Sequence, residues 1–165
     1  MKDNTVYYQA VILGGIVSAL TDALPLLNLI NCFCCLGIAA GGGIAVFYYQ
    51  RYQPPEASLL STPMAVQMGL MTGIIGALAA FVFHYIMYQI MGNWQVEWIL
   101  NTIENLDDIP ALWEEIYEEL QKEEYQVFAG WAILIRSLIL FPIFTLSGAL
   151  ITRNLLQKRY QPPSA

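Results

Sequence analysis

The chain has 165 residues, of which 57% are hydrophobic and 12% charged, with 13 acidic against 7 basic groups. That charged share is about half of the ~25% usual in soluble domains. The lack of basic surface excludes a nucleic-acid binder, and the composition argues against a soluble enzyme. The apolar residues fall in long blocks nearly free of charge, Tyr7–Leu20, Leu24–Tyr49, Leu59–Trp94 and Val127–Thr152, which suit a bilayer better than an aqueous core. These blocks predict an all-α polytopic membrane protein with four transmembrane helices arranged as two hairpins.

The first predicted span runs from Val6 to Ala23, with Asp22 at its far end and Pro25 stopping a straight continuation. A cleaved signal peptide is the competing reading of this segment. It is disfavoured because Lys2 is paired with Asp3 and no small-x-small cleavage site precedes Asp22. A lipoprotein reading of Leu29-Ile30-Asn31-Cys32 fails because Asn31 sits where a small residue is needed. After a Leu24–Asn28 turn, the second span is expected over Leu29–Tyr49. The third opens on Ser61 and Thr62, which can cap, with Pro63 suited to a first helical turn, and continues to Met91. The fourth runs from Val127 to Leu156, with Pro142 expected to kink it.

Spans three and four are each near 30 residues, or about 45 Å, longer than a ~30 Å hydrocarbon core. They must tilt or project into water. The hairpins divide the chain into residues 1–55 and 56–165, the second carrying an insert at 92–126.

Basic residues orient the spans. Lys2, Arg51, Arg153, Lys158 and Arg159 flank one side, whereas ten acids between Glu97 and Glu124 accompany Lys122 on the other. By the positive-inside rule both termini and the 50–62 loop are cytoplasmic and 92–126 is external. That insert reads as two amphipathic helices. Trp94, Trp98, Ile99, Leu100, Ile103 and Leu106 form one apolar stripe, and Leu112, Trp113, Ile116, Tyr117 and Leu120 the next. Its acidic faces fit a solvated cap, a partner-binding surface or a divalent-ion surface, although the Asp/Gly pattern of an EF-hand is missing.

Arg51-Tyr52-Gln53-Pro54-Pro55 recurs as Arg159-Tyr160-Gln161-Pro162-Pro163, each copy following an even-numbered span. The repetition points either to duplication of a helical hairpin or to a shared cytoplasmic docking role for Arg51, Tyr52, Arg159 and Tyr160. Small residues recur at four-residue spacing in Gly15/Ala19, Gly37/Gly41/Ala45, Gly69/Gly73/Ala77 and Gly76/Ala80. Such stripes bring helices together in lipid, within the bundle or in self-association.

Arg136 lies well inside span four, where a charge costs at least ~2.5–3.5 kcal/mol on insertion scales. His84 in span three and Asp22 in span one fall at comparable depth, so an intramembrane polar cluster of Asp22, His84 and Arg136 is expected, with Tyr85 or Tyr88 beside it. It reads as a register-fixing ion pair, a ligand or ion pathway, or a contact to an acidic group of a partner. Cys32, Cys34 and Cys35 crowd the start of span two. They do not match zinc, iron–sulfur or haem spacing, which leaves small packing residues or a redox role. No nucleophile–base pair, phosphate loop or metal motif is present, so neither enzyme activity nor a cofactor is expected.

The stretch Leu24-Pro25-Leu26-Leu27-Asn28-Leu29-Ile30-Asn31-Cys32-Phe33-Cys34-Cys35, followed by Gly41-Gly42-Gly43, resembles a group of small uncharacterised bacterial four-helix integral-membrane proteins. In these a Pro-x-x-Asn turn and a cysteine-rich entry lead into a glycine-rich second span. The resemblance covers residues 10–50 and implies topology and bacterial origin, but no functional residue. The function expected is that of a non-enzymatic accessory or scaffolding subunit of a bacterial inner-membrane complex, in contact with lipid and with other membrane subunits or copies of itself. The alternative is a small oligomeric transporter or channel with Arg136 and His84 lining the path.

Overall fold

The computed structural model describes residues 2–31, 33–54, 59–91 and 123–160. These form α1 (Lys2–Ala23), α2 (Pro25–Asn31), α3 (Leu36–Arg51), α4 (Thr62–Met91) and α5 (Glu123–Tyr160), with no strand among the described residues. Three stretches, Thr5–Ala23, Thr62–Ile90 and Trp131–Arg159, are long and apolar enough to cross a membrane. The chain is therefore an all-α protein of membrane character. The two amphipathic helices expected within 92–126 fall outside the described residues, except that 123–126 belong to α5.

The four long helices form a ring in the order α1, α3, α5, α4, with α4 closing back on α1. α1 and α3 are antiparallel, Gly14 facing Gly41 and Ser18 facing Ile38. α4 and α5 are likewise antiparallel, since Gly69 meets Leu146 and Gly76 meets Phe141. The first helices of the two hairpins run parallel, Gly15 against Gly76. So do the second helices, Ala39 against Gly148 and Gly43 against Thr152. The hairpins thus stack like on like.

The interior is small and the exterior bulky. Ala10, Ala19, Ala45, Ala65, Ala77, Ala80 and Ala149 are fully buried, while Ile12, Phe47, Leu78, Val82, Ile139 and Ile143 are each about half exposed. A water-soluble bundle would do the reverse, because it gains most by burying large side chains. In lipid that gain vanishes and close backbone approach takes over.

Glycine marks the closest approaches. A Cβ on Gly42 would strike the Thr145 carbonyl, and one on Gly148 the Ala39 carbonyl. One on Gly69 would lie 2.7 Å from Leu146 Cα, and one on Gly73 2.6 Å from the Pro142 nitrogen. The Gly37/Gly41 stripe of α3 faces α1, while Gly42, one residue round the helix, faces α5.

Two starts differ from expectation. Where a turn was expected over Leu24–Asn28, α2 forms a short helix. α3 begins at Leu36 rather than Leu29, because Cys34 and Cys35 both adopt left-handed backbone with φ near 53° and 54°. That conformation costs an L-residue about 1–2 kcal/mol, and Asn31 offsets it by clasping three segments. Its Nδ2 donates to the Thr21 carbonyl at 3.2 Å, and its Oδ1 accepts from the Ile38 amide at 3.2 Å. Gly37 leaves room for this clasp, since a Cβ there would lie 2.7 Å from Asn31 Oδ1.

Candidate functional site

Three helices deliver one charged or titratable side chain each to the end of the bundle that carries α2. Asp22, in the last turn of α1, is only 4% exposed. Arg136 reaches it from α5, Nη2 donating to Oδ1 at 3.3 Å, with 55% of the Arg136 side chain exposed. His84 approaches from α4, its Nε2 3.9 Å from Asp22 Oδ2. The other ring nitrogen, Nδ1, lies 2.9 Å from the Ala80 carbonyl of the preceding turn.

The placement follows from helix register. α1 and α4 run parallel in contact at Gly15 and Gly76, which brings Asp22 and His84 to one level two turns further on. α5 runs antiparallel to α4, with Phe141 against Gly76, and Arg136 lies five residues toward the same end. The partial exposure of Arg136 fits a long cationic side chain that keeps part of its length in contact with the surroundings while its guanidinium is paired. Ser137, next to Arg136, is fully buried and its hydroxyl has no hydrogen-bond partner. Tyr85 and Tyr88 are exposed on α4.

The cysteines occupy the turn between α2 and α3. Cys34 is exposed with a free thiol, whereas Cys35 is half buried against the cluster of Ala19, Ile38, Ala77, Ala80 and Phe141. Cys32 lies outside the described residues. Among the described residues, no three His, Cys, Asp or Glu side chains gather as a metal ion would require.

At the opposite end, Arg51 closes α3 and Tyr52 follows it, both exposed, with the Tyr48 and Tyr52 rings 4.6 Å apart. Arg159 is exposed in the last turn of α5 beside Tyr160, while the remainder of the second motif, 161–163, is outside the described residues. Because α3 and α5 are parallel neighbours, the described parts of the two motifs, 51–54 and 159–160, lie at the same end of the bundle.

Sequence reasoning missed the clamp beside them. Gln50 Oε1 accepts from the Leu60 amide at 3.0 Å, and Arg153 Nε donates to the Leu60 carbonyl at 3.3 Å. Arg153 was legible only as a topogenic charge. A buried Leu60 backbone between two polar side chains leaves no sequence pattern.

Comparison of the chain with protein-family models, with curated proteins and with solved structures finds no match in any of the three. The class of the protein therefore rests on its own helices: a helical-bundle membrane protein with, among the described residues, one interhelical ionic cluster.

Proposed function

We propose that the protein is a non-enzymatic accessory or scaffolding subunit of a larger assembly in the bacterial inner membrane. In this reading it has four spans and cytoplasmic termini. The observation that carries it is the inverted packing: an interior closed by backbone contacts at Gly42, Gly73 and Gly148, and an outer surface of large aliphatic side chains. Among the described residues these contacts draw the helices together, whereas the outside presents large aliphatic side chains to neighbouring subunits.

α3, at 16 residues or about 24 Å, is the second of the four spans and the one that adds to the three of membrane length. Its contacts with α1 and α5 support this, since both are of membrane length. Arg51, Arg153, Lys158 and Arg159 at one end support the cytoplasmic assignment of that end.

The second reading, an oligomeric transporter or channel, draws on one observation, the exposure of just over half of the Arg136 side chain. A path past Arg136 and His84 would then run between protomers rather than through one. Native mass spectrometry of protein gently extracted from its own membranes tests both. Stoichiometric foreign subunits are expected, and a lone homo-oligomer would overturn the accessory role. Arg136→Leu separates the two further: a carrier loses flux while staying assembled, whereas a subunit loses stability or partner binding.

A further inference from the structure

Asp22 Oδ2 is buried and has no hydrogen-bond partner, although the carboxylate lies against His84. The His84 ring explains why. A carbonyl oxygen only accepts, so the 2.9 Å contact between Nδ1 and the Ala80 carbonyl requires the hydrogen on Nδ1. A neutral imidazole carries one N–H, and Nε2 is then a bare lone pair. Across 3.9 Å, Nε2 and Oδ2 face each other as two acceptors with no hydrogen between them. A buried carboxylate oxygen left in that state is a costly arrangement. A proton on Nε2 would supply the missing donor without displacing the Ala80 bond, once the 3.9 Å separation closes to hydrogen-bond length.

We propose that His84 and Asp22 form a proton-binding site that ties α4 to α1 across the end of the bundle. Nε2 takes one proton from water, the ring becomes an imidazolium with N–H on both nitrogens, and the new N–H donates to Asp22 Oδ2 as a charge-assisted bond. Nδ1 keeps its bond to Ala80. Arg136 of α5 holds Oδ1 throughout, so the protonated state joins three helices through one carboxylate. The charge of the three groups changes from zero to +1.

α1 contributes Asp22 and α5 contributes Arg136, with the unpartnered hydroxyl of Ser137 in the same turn. The α2–α3 turn contributes Cys35, and α4 itself carries Tyr85 and Tyr88 one residue and one turn beyond His84. His84 retains 17% exposure, a route for the proton. The site lies seven residues before the end of α4 at Met91, at the base of the segment that leads to the acidic insert.

His84 is the chain's only histidine, so histidine labelled with nitrogen-15 in the full chain, in lipid nanodiscs, yields a single pair of ring-nitrogen resonances. Under alkaline conditions the Nδ1–H tautomer is expected, the minor form of free imidazole. On acidification Nε2 gains a proton whose resonance moves downfield, as for a hydrogen bond to a carboxylate. In Asp22→Asn that downfield displacement is lost. An Nε2–H tautomer at high pH would overturn the proposal, and so would an Nε2 proton that resonates as in free imidazolium in the native chain. Both of these are read on the unaltered protein, so the test survives if Asp22→Asn does not fold.

Discussion

The middle of the bundle and its α2-bearing end are held together by different physics. In the middle, Gly42 lies on Thr145 and Gly148 on Ala39, and contact is a matter of shape, backbone against backbone. At the end, Asp22, His84 and Arg136 meet through directed polar atoms, and Asn31 stitches the turn to α1 and α3. Shape complementarity tolerates no added atom but is indifferent to protons. Polar contacts tolerate small shifts in position, yet depend on which atom carries a hydrogen. A bundle built this way has a rigid waist and one chemically responsive end.

The contrast can be broken most directly at the waist. Gly42→Val places its Cβ against the Thr145 carbonyl, which cannot move aside as a flexible side chain would. Overpacking ordinarily costs about 1–3 kcal/mol and more where backbone is struck. We expect loss of the folded bundle, seen as loss of cooperative unfolding in lipid micelles. An unchanged unfolding midpoint would show that the helices are not in contact there.

Asp22→Ala should have the next largest effect, about 1–3 kcal/mol for the broken polar contacts, moderated because half of Arg136 is already exposed. Steric trapping or reversible denaturant unfolding would measure it. The smallest effect is expected from Thr145→Val, near-isosteric and in the middle. It removes hydroxyl bonds to the Gly69 and Phe141 carbonyls at 2.8 and 2.6 Å, and such bonds in membrane bundles average about 0.6 kcal/mol. Should Thr145→Val destabilise more than Asp22→Ala, polar bonding and not shape would hold the waist.

Much of this division is legible in the residues themselves. The glycine and alanine stripes announce close helix contact because lipid provides no other strong reason for small residues at four-residue spacing. Arg136 declares a polar cluster, since a charge at that depth needs company. Counting depth along the spans suggests His84 and Asp22 as that company, but depth alone cannot say that the three side chains turn toward one another. The rotation of each helix about its own axis settles that, and it is set by which glycine meets which neighbour. Asn31 illustrates the opposite failure. It reads as one polar residue beside cysteines, whereas its role depends on Thr21 and Ile38, 10 and 7 residues away along the chain.

Composition and periodicity alone specify a helical membrane protein with long apolar segments, small packing faces and basic residues gathered at a few boundaries. These are properties of composition and period, which each segment carries alone. Packing in three dimensions settles that like helices of the two hairpins lie side by side, that α3 starts late behind two left-handed cysteines, and that a guanidinium and an imidazole both approach one carboxylate. Those facts depend on distances between residues as many as 114 positions apart, and no local pattern encodes a distance.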